Sequence, residues 1–137
     1  MGGTTGQQLH PAPLHPAPLH PMCFRLRVRP ELVAEYRERH AAVWPEMLRA
    51  LAATGWHDYR IFVADDGTCI GTFRTADLAA SLAGMAATDV NARWQAEMRP
   101  FFEGLERPAD ESFELLPLAF DLEAQLAAAP DDPADRR

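Results

Sequence analysis

Residues 24–29 read Phe-Arg-Leu-Arg-Val-Arg, an apolar side chain at each even position and a guanidinium at each odd one. A helix would spread both sets around its circumference. An extended strand sends successive side chains to opposite faces, so it buries Phe24, Leu26 and Val28 while Arg25, Arg27 and Arg29 stay in water. The chain therefore builds a sheet that is dry on one face, and everything downstream must supply the cover.

Pro30 opens a helix that brings Leu32, Val33, Tyr36 and His40 to one face. Trp44-Pro45 interrupts it, because proline disfavours the helical region for the residue before it. A second helix carries Met47, Leu48 and Leu51 and stops at Gly55. Tyr59, Ile61 and Val63 alternate in the next strand, residues 65–68 form a turn, and Ile70 to Arg74 returns as its hairpin partner. Thr75 is placed to cap a helix with Leu78, Leu82 and Met85 inward. Thr88 or Asp89 caps another, with Val90, Trp94, Met98 and Phe101 along one stripe. Leu116, Leu118, Phe120 and Leu122 alternate in an expected last strand, with Pro117 at an edge.

The order is strand, helical pair, strand, strand, helical pair, strand. This predicts an α+β fold of the ferredoxin-like split βαβ kind, an antiparallel sheet with helices on one face. Its other face is left open and partly apolar, and self-association is the usual way to cover such a face.

The 137 residues suit one domain, expected over 22–122, with nearly half of all side chains apolar. Residues 1–21 hold a Leu-His-Pro-Ala-Pro repeat whose prolines remove backbone donors, which predicts a disordered extension. His10, His15 and His20 recur within it, but no rigid frame fixes them as metal ligands. Residues 123–137, rich in Ala, Asp and Pro, read as a second disordered tail. A net charge of −7 argues against nucleic acid and anionic membrane as partners. No apolar run approaches the roughly 18 residues needed to span a bilayer, and the N-terminus lacks a secretory h-region. Two cysteines, Cys23 and Cys69, sit in separate strand-like segments, as expected of a reduced cytoplasmic protein.

Few residues are equipped for chemistry. Tyr36 and His40 are four apart and share a helix face. His40 also lies in the last helical turn, where the backbone dipole favours an imidazolium able to give up a proton near neutral pH. Against this stands the plain alternative of a histidine that caps the helix or fills the core. Tyr59 and Trp94 equally suit core positions, and His57 and Asp58, adjacent on a strand, point to opposite faces and make no dyad. No glycine-rich phosphate loop occurs, and no Cys-x-x-Cys or His-x-x-x-His pair outside the extension, so neither a metal nor a cofactor is expected.

Taken together, Tyr36-x-x-x-His40, Trp44-Pro45-Glu46, Tyr59 and Ala87-Thr88-Asp89-Val90-x-x-Arg93-Trp94 resemble the L-rhamnose mutarotase family over about residues 23–122. The resemblance implies a ferredoxin-like homodimer that interconverts the α and β anomers of a 6-deoxy-L-hexose without a cofactor. It also implies that His40 is the proton donor and that Tyr36, Tyr59 and Trp94 contact the sugar. The family's second tryptophan of a pair is Gln95 here, which loosens stacking on the sugar or offers a hydrogen bond to one of its hydroxyls. Two rival readings stand beside it: a monooxygenase-like enzyme on the same architecture acting on an aromatic or haem substrate, since fold does not fix function, and a non-catalytic sugar-binding dimer.

Overall fold

A computed structural model of the chain describes residues 17–103 and 113–130. Strand β1 runs over His20–Arg27, starting four residues before its alternating core, and is followed by the Pro30–Leu32 3₁₀ turn and helix α1, Val33–His40. Ala41 and Ala42 lead to Trp44, and Pro45 at the first position of α2, Pro45–Ala53, restarts the helix along a new axis. Gly55, at φ +93°, takes the left-handed conformation that ends the pair where the sequence placed the stop. Strands β2 (His57–Val63) and β3 (Thr68–Thr75) form the hairpin, α3 (Leu78–Ala86) and α4 (Asp89–Met98) the second helical pair. A two-residue strand β4 (Glu114–Leu115) and a short helix α5 (Leu122–Ala128) follow.

The sheet has the order β2-β3-β1-β4, antiparallel throughout, as the ferredoxin-like fold requires. Pairing of Phe24 with Gly71 and of Ile61 with Gly71 puts Phe24, Leu26, Tyr59, Ile61, Cys69 and Phe73 on the face beneath the helices. Cys23, Arg25, Arg60, Phe62 and Thr72 have the opposite parity, on the uncovered face. Between His57 and Arg60 the β2–β3 register slips, with Asp58 at φ +50° in the irregularity. A bulge of this kind re-aims the start of the strand, while Tyr59 keeps the parity of Ile61 and lies on the helix side.

Four expectations are corrected. Thr75 does not cap α3; β3 continues through it, and its hydroxyl is buried 2.7 Å from that of Ser81. The cap is Asp77, whose carboxylate accepts from the backbone N–H of Ala80. The last strand does not run from Leu116 to Leu122: pairing ends once the Leu116 N–H has reached the Cys23 carbonyl, because Pro117 has no donor to continue it. Leu118, Phe120 and Leu122 are instead more than half exposed. Residues 123–137 are not wholly irregular, since Asp121 caps the helix over Leu122–Ala128. Likewise His20 and Pro21, assigned to the extension, belong to β1. Residues 1–16, with His10 and His15, lie outside the described residues.

Phe24 is the hinge of the packing. Its ring lies over Gly71, against Phe113 at 4.7 Å between centroids, and within 6.1 and 6.3 Å of Tyr59 and Phe73. A Cβ on Gly71 would sit 2.1 Å from that ring. Gly71→Ala is therefore expected to force the ring off its seat and cost about 1–3 kcal/mol of stability, the usual penalty for overpacking. Urea unfolding checks this; an unchanged midpoint would contradict it.

Candidate active site

Between the sheet and the helical layer lies a cavity of about 310 Å³, at the small end of the range for small-molecule sites of about 300–1,000 Å³. The sheet contributes Phe24, Leu26, Tyr59 and Ile61 as its floor. Helix α1 contributes Tyr36 and His40, α2 Met47, Leu48 and Leu51, and α4 Asn91, Trp94, Gln95 and Met98. The wall is thus largely apolar and aromatic, with a few polar groups set into it. Leu48 is 52% exposed and Gln95 half-buried, which marks the α2–α4 side as the mouth.

All five residues singled out in the sequence meet here: His40, Tyr36, Tyr59, Trp94 and Gln95 line the one cavity. The Nδ1 atom of His40 lies 2.9 Å from the Tyr36 carbonyl oxygen. A carbonyl only accepts, so Nδ1 carries the hydrogen and Nε2 is the nitrogen left to face a ligand. Among the described residues Nε2 has no hydrogen-bond partner. The Tyr36 ring stacks on the imidazole at 4.1 Å and the Trp94 ring meets it edge-on at 5.5 Å. Two aromatic neighbours leave the side chain little room to turn.

Tertiary packing adds an effect on His40 that its place in the helix does not show. Burial among these rings pushes its pKa below the ordinary histidine value, and the bond to the Tyr36 carbonyl offsets this only in part. At neutral pH the ring is a neutral imidazole with a lone pair on Nε2.

Tyr36 is 2% exposed, and its hydroxyl lies 3.5 Å from Cys69 Sγ. Desolvation first, then the Cys69 and Tyr59 neighbours, raise its pKa far beyond the phenol range, so it stays protonated. Burial likewise raises the Cys69 thiol. Tyr59 packs on Trp56 at 5.2 Å and is half-buried. Trp94 lies edge-on to Trp44 at 5.0 Å.

The remaining motif residues hold the helices in place. Arg93 donates to Glu46 on α2 and to Asp89 on its own helix, both at 2.9 Å, and its guanidinium lies 5.8 Å from the Trp44 ring centre. Arg39 joins α1 to α4 through Glu97 at 2.5 Å. Exposed pairs of this kind contribute only about 0.2–1 kcal/mol each. Their geometric effect is larger, because they tie together the three helices that wall the cavity.

Sequence reasoning missed Asn91, Met47, Leu48, Leu51 and Phe24 as lining residues. For Asn91 a signal was available. Positions 91, 94, 95 and 98 fall at helical spacing on one face, so Asn91 and Gln95 stand one turn apart on the stripe that carries Trp94 and Met98, and Asn91 is 6% exposed. Among the described residues no three His, Cys, Asp or Glu side chains gather as metal ligands would, and no helix is long and apolar enough to cross a membrane.

A family model described as L-rhamnose mutarotase matches residues 21–122. An L-rhamnose mutarotase of Burkholderia ambifaria is 37% identical over 97 residues, covering 68% of this chain and 91% of that protein. One from Burkholderia orbicola is 42% identical over 77 residues, covering 56% and 74%. Among solved structures, an L-rhamnose mutarotase from Formosa agariphila superposes with a TM-score of 0.62 at 20% identity, over 74% of this chain and 97% of that one, a likeness of fold.

His40 is expected to titrate below about pH 6.5, the ordinary histidine value. Its imidazole C–H resonances, assigned by their loss in His40→Asn, report this directly in an NMR pH series. A midpoint at or above that value would contradict the desolvated setting.

Proposed function

We propose that His40 carries the proton transfer in this chain, which belongs to the L-rhamnose mutarotase family and is accordingly an isomerase that interconverts sugar anomers. The sugar is L-rhamnose or a closely similar 6-deoxy-hexose. The observation that carries this reading is the His40 ring, held at Nδ1 by a backbone carbonyl and lining a monosaccharide-sized cavity beside Tyr36 and Trp94.

Mutarotation moves one proton. The anomeric hydroxyl on C1 loses it, the C1–O5 bond breaks, and the ring oxygen O5 gains it, leaving an open-chain aldehyde. Neutral Nε2 takes the proton from O1. The electron pair left on O1 forms the carbonyl as the C1–O5 pair departs on O5, and the imidazolium then gives its proton to O5. Both oxygens are bonded to C1 in the pyranose, so one nitrogen can reach each in turn. His40 is thus the donor to the ring oxygen, having first been the acceptor. After the aldehyde turns about the C1–C2 bond, the same steps run backwards and close the ring on its other face. General acid–base catalysis of this kind contributes about 10²–10⁴-fold. No electron leaves the system and no covalent adduct forms, so the chemistry calls for no cofactor.

Tyr36 serves as a neutral phenol in the wall; the high pKa argues against a proton relay through it. Trp94 offers its ring to the apolar C–H side of the sugar, and Tyr59 and Gln95 contact it from the floor and the mouth. The acting species is a homodimer, with the second copy on the open sheet face. Phe62 there is 60% exposed, and Leu118, beside Cys23, Arg60 and Thr72 of the same face, is 62% exposed. The unpaired thiols of Cys23 and Cys69 suit the cytoplasm.

His40→Ala is expected to lower the enzyme-dependent rate of L-rhamnose anomer exchange by at least a hundredfold while the protein sediments as a dimer of 15.2 kDa chains. Saturation-transfer NMR and analytical ultracentrifugation measure the two. Exchange at the wild-type rate would remove His40 from the chemistry, and a wild-type monomer would remove the dimer.

A further inference from the structure

The cavity contains one arrangement that ring opening does not use. Asn91 and Gln95 lie one turn apart on α4, and the Gln95 amide Nε2 donates to Asn91 Oδ1 at 3.2 Å. Asn91 is 6% exposed, whereas Gln95 is half-buried at the mouth. Around them the same cavity is walled by Leu48, Leu51, Met47 and Met98. A carboxamide in such a wall is costly to desolvate unless it finds partners. Each of these two finds one in the other.

We propose that the Asn91–Gln95 pair is the specificity device of this site, in which Gln95 reads a ring hydroxyl of the sugar and Asn91 is the positioning residue that aims it. The inference rests on the sugar-isomerase reading given above. With one N–H committed to Asn91, Gln95 presents its Oε1 and its second N–H as an oriented acceptor and donor, and among the described residues Oε1 has no hydrogen-bond partner. A hydroxyl, which both donates and accepts, is the complement of that pair. Stacking on an aromatic plane tolerates any sugar with an apolar C–H face. A fixed amide instead rejects a sugar lacking the matching hydroxyl, because its own polar atoms are then left unpaired. Selection at the α4 side of this cavity therefore depends on hydroxyl position.

The test is a cycle that removes groups from both sides. Affinities for L-rhamnose and its 2-deoxy, 3-deoxy and 4-deoxy analogues are read from the fluorescence of the cavity tryptophans in the wild-type dimer, in Gln95→Leu and in Asn91→Leu. In the wild type, deletion of one particular hydroxyl is expected to weaken binding about tenfold, the worth of one hydrogen bond. Gln95→Leu should weaken L-rhamnose by a similar factor and lose nothing more with that analogue. Asn91→Leu should weaken L-rhamnose and the two analogues that keep that hydroxyl while leaving the analogue that lacks it unchanged, a pattern that general loosening of the fold does not produce. Equal loss across all four sugars, or no loss in Gln95→Leu, would overturn the inference and leave the isomerase reading standing. Wild-type protein that binds none of the four and speeds no anomer exchange would overturn both.

Discussion

A hydrogen bond inside one helix fixes the imidazole on which the proposed chemistry depends. The Tyr36 carbonyl, near the end of α1, accepts from the His40 imidazole four residues on, and so fixes which ring nitrogen carries hydrogen and which faces the cavity. Stacking of Tyr36 on the same imidazole adds a second restraint from the same residue. Tyr36 acts on His40 through its backbone and its ring, while its hydroxyl is turned to Cys69 in the core. The spacing of four that places two side chains on one helix face is here the spacing that lets a side chain reach the carbonyl of the preceding turn.

The cavity exists because the helical layer stands off the sheet at one place. Phe24 rises from the floor over Gly71, and Trp94 and the α2 leucines come down from above. The helices keep their distance through contacts at the rim: Arg93 joins Glu46, Asp89 and the Trp44 ring, and Arg39 joins Glu97. This explains why Trp-Pro-Glu and Asp-x-x-x-Arg-Trp belong to the pattern by which the family is recognised. Most of those residues do not line the cavity. They hold the walls apart and in register, and proline at the start of α2 sets the direction in which one wall runs.

Much of this was legible beforehand. The interleaved arginines of β1, the proline that breaks the first helical pair and the glycine that ends it each have a local physical cause, and local causes can be read from a linear sequence. The stripe of Val90, Trp94, Met98 and Phe101 is buried as its spacing implied. Reading failed where the outcome depended on competition between elements. Thr75 is a fair helix cap in isolation, but β3 needed it as a last paired residue and Ser81 supplied a buried partner. The alternation from Leu116 to Leu122 looked like a strand, yet Pro117 ended pairing and Asp121 captured the following residues for a helix. The dipole of a helix end is visible in sequence, whereas the desolvation that lowers the pKa of His40 comes from Trp94 and from rings brought in by tertiary packing. Asn91 gains its meaning only from the cavity that α4 closes over the sheet, which no local pattern shows.

The central claim is that a neutral imidazole, held at Nδ1, begins the reaction by accepting a proton at Nε2. The pH dependence of enzyme-dependent anomer exchange tests it most directly, with the spontaneous rate subtracted at each pH. Because burial lowers the pKa of His40, the base form prevails at and above neutrality and is lost only as pH falls through that lowered value. The account predicts a rate that is level from pH 8 to about 6.5, the ordinary histidine value, and declines on the acid side. A rate that climbs as the solution is acidified from pH 7 toward 5 would mean that the imidazolium starts the reaction, and would contradict it.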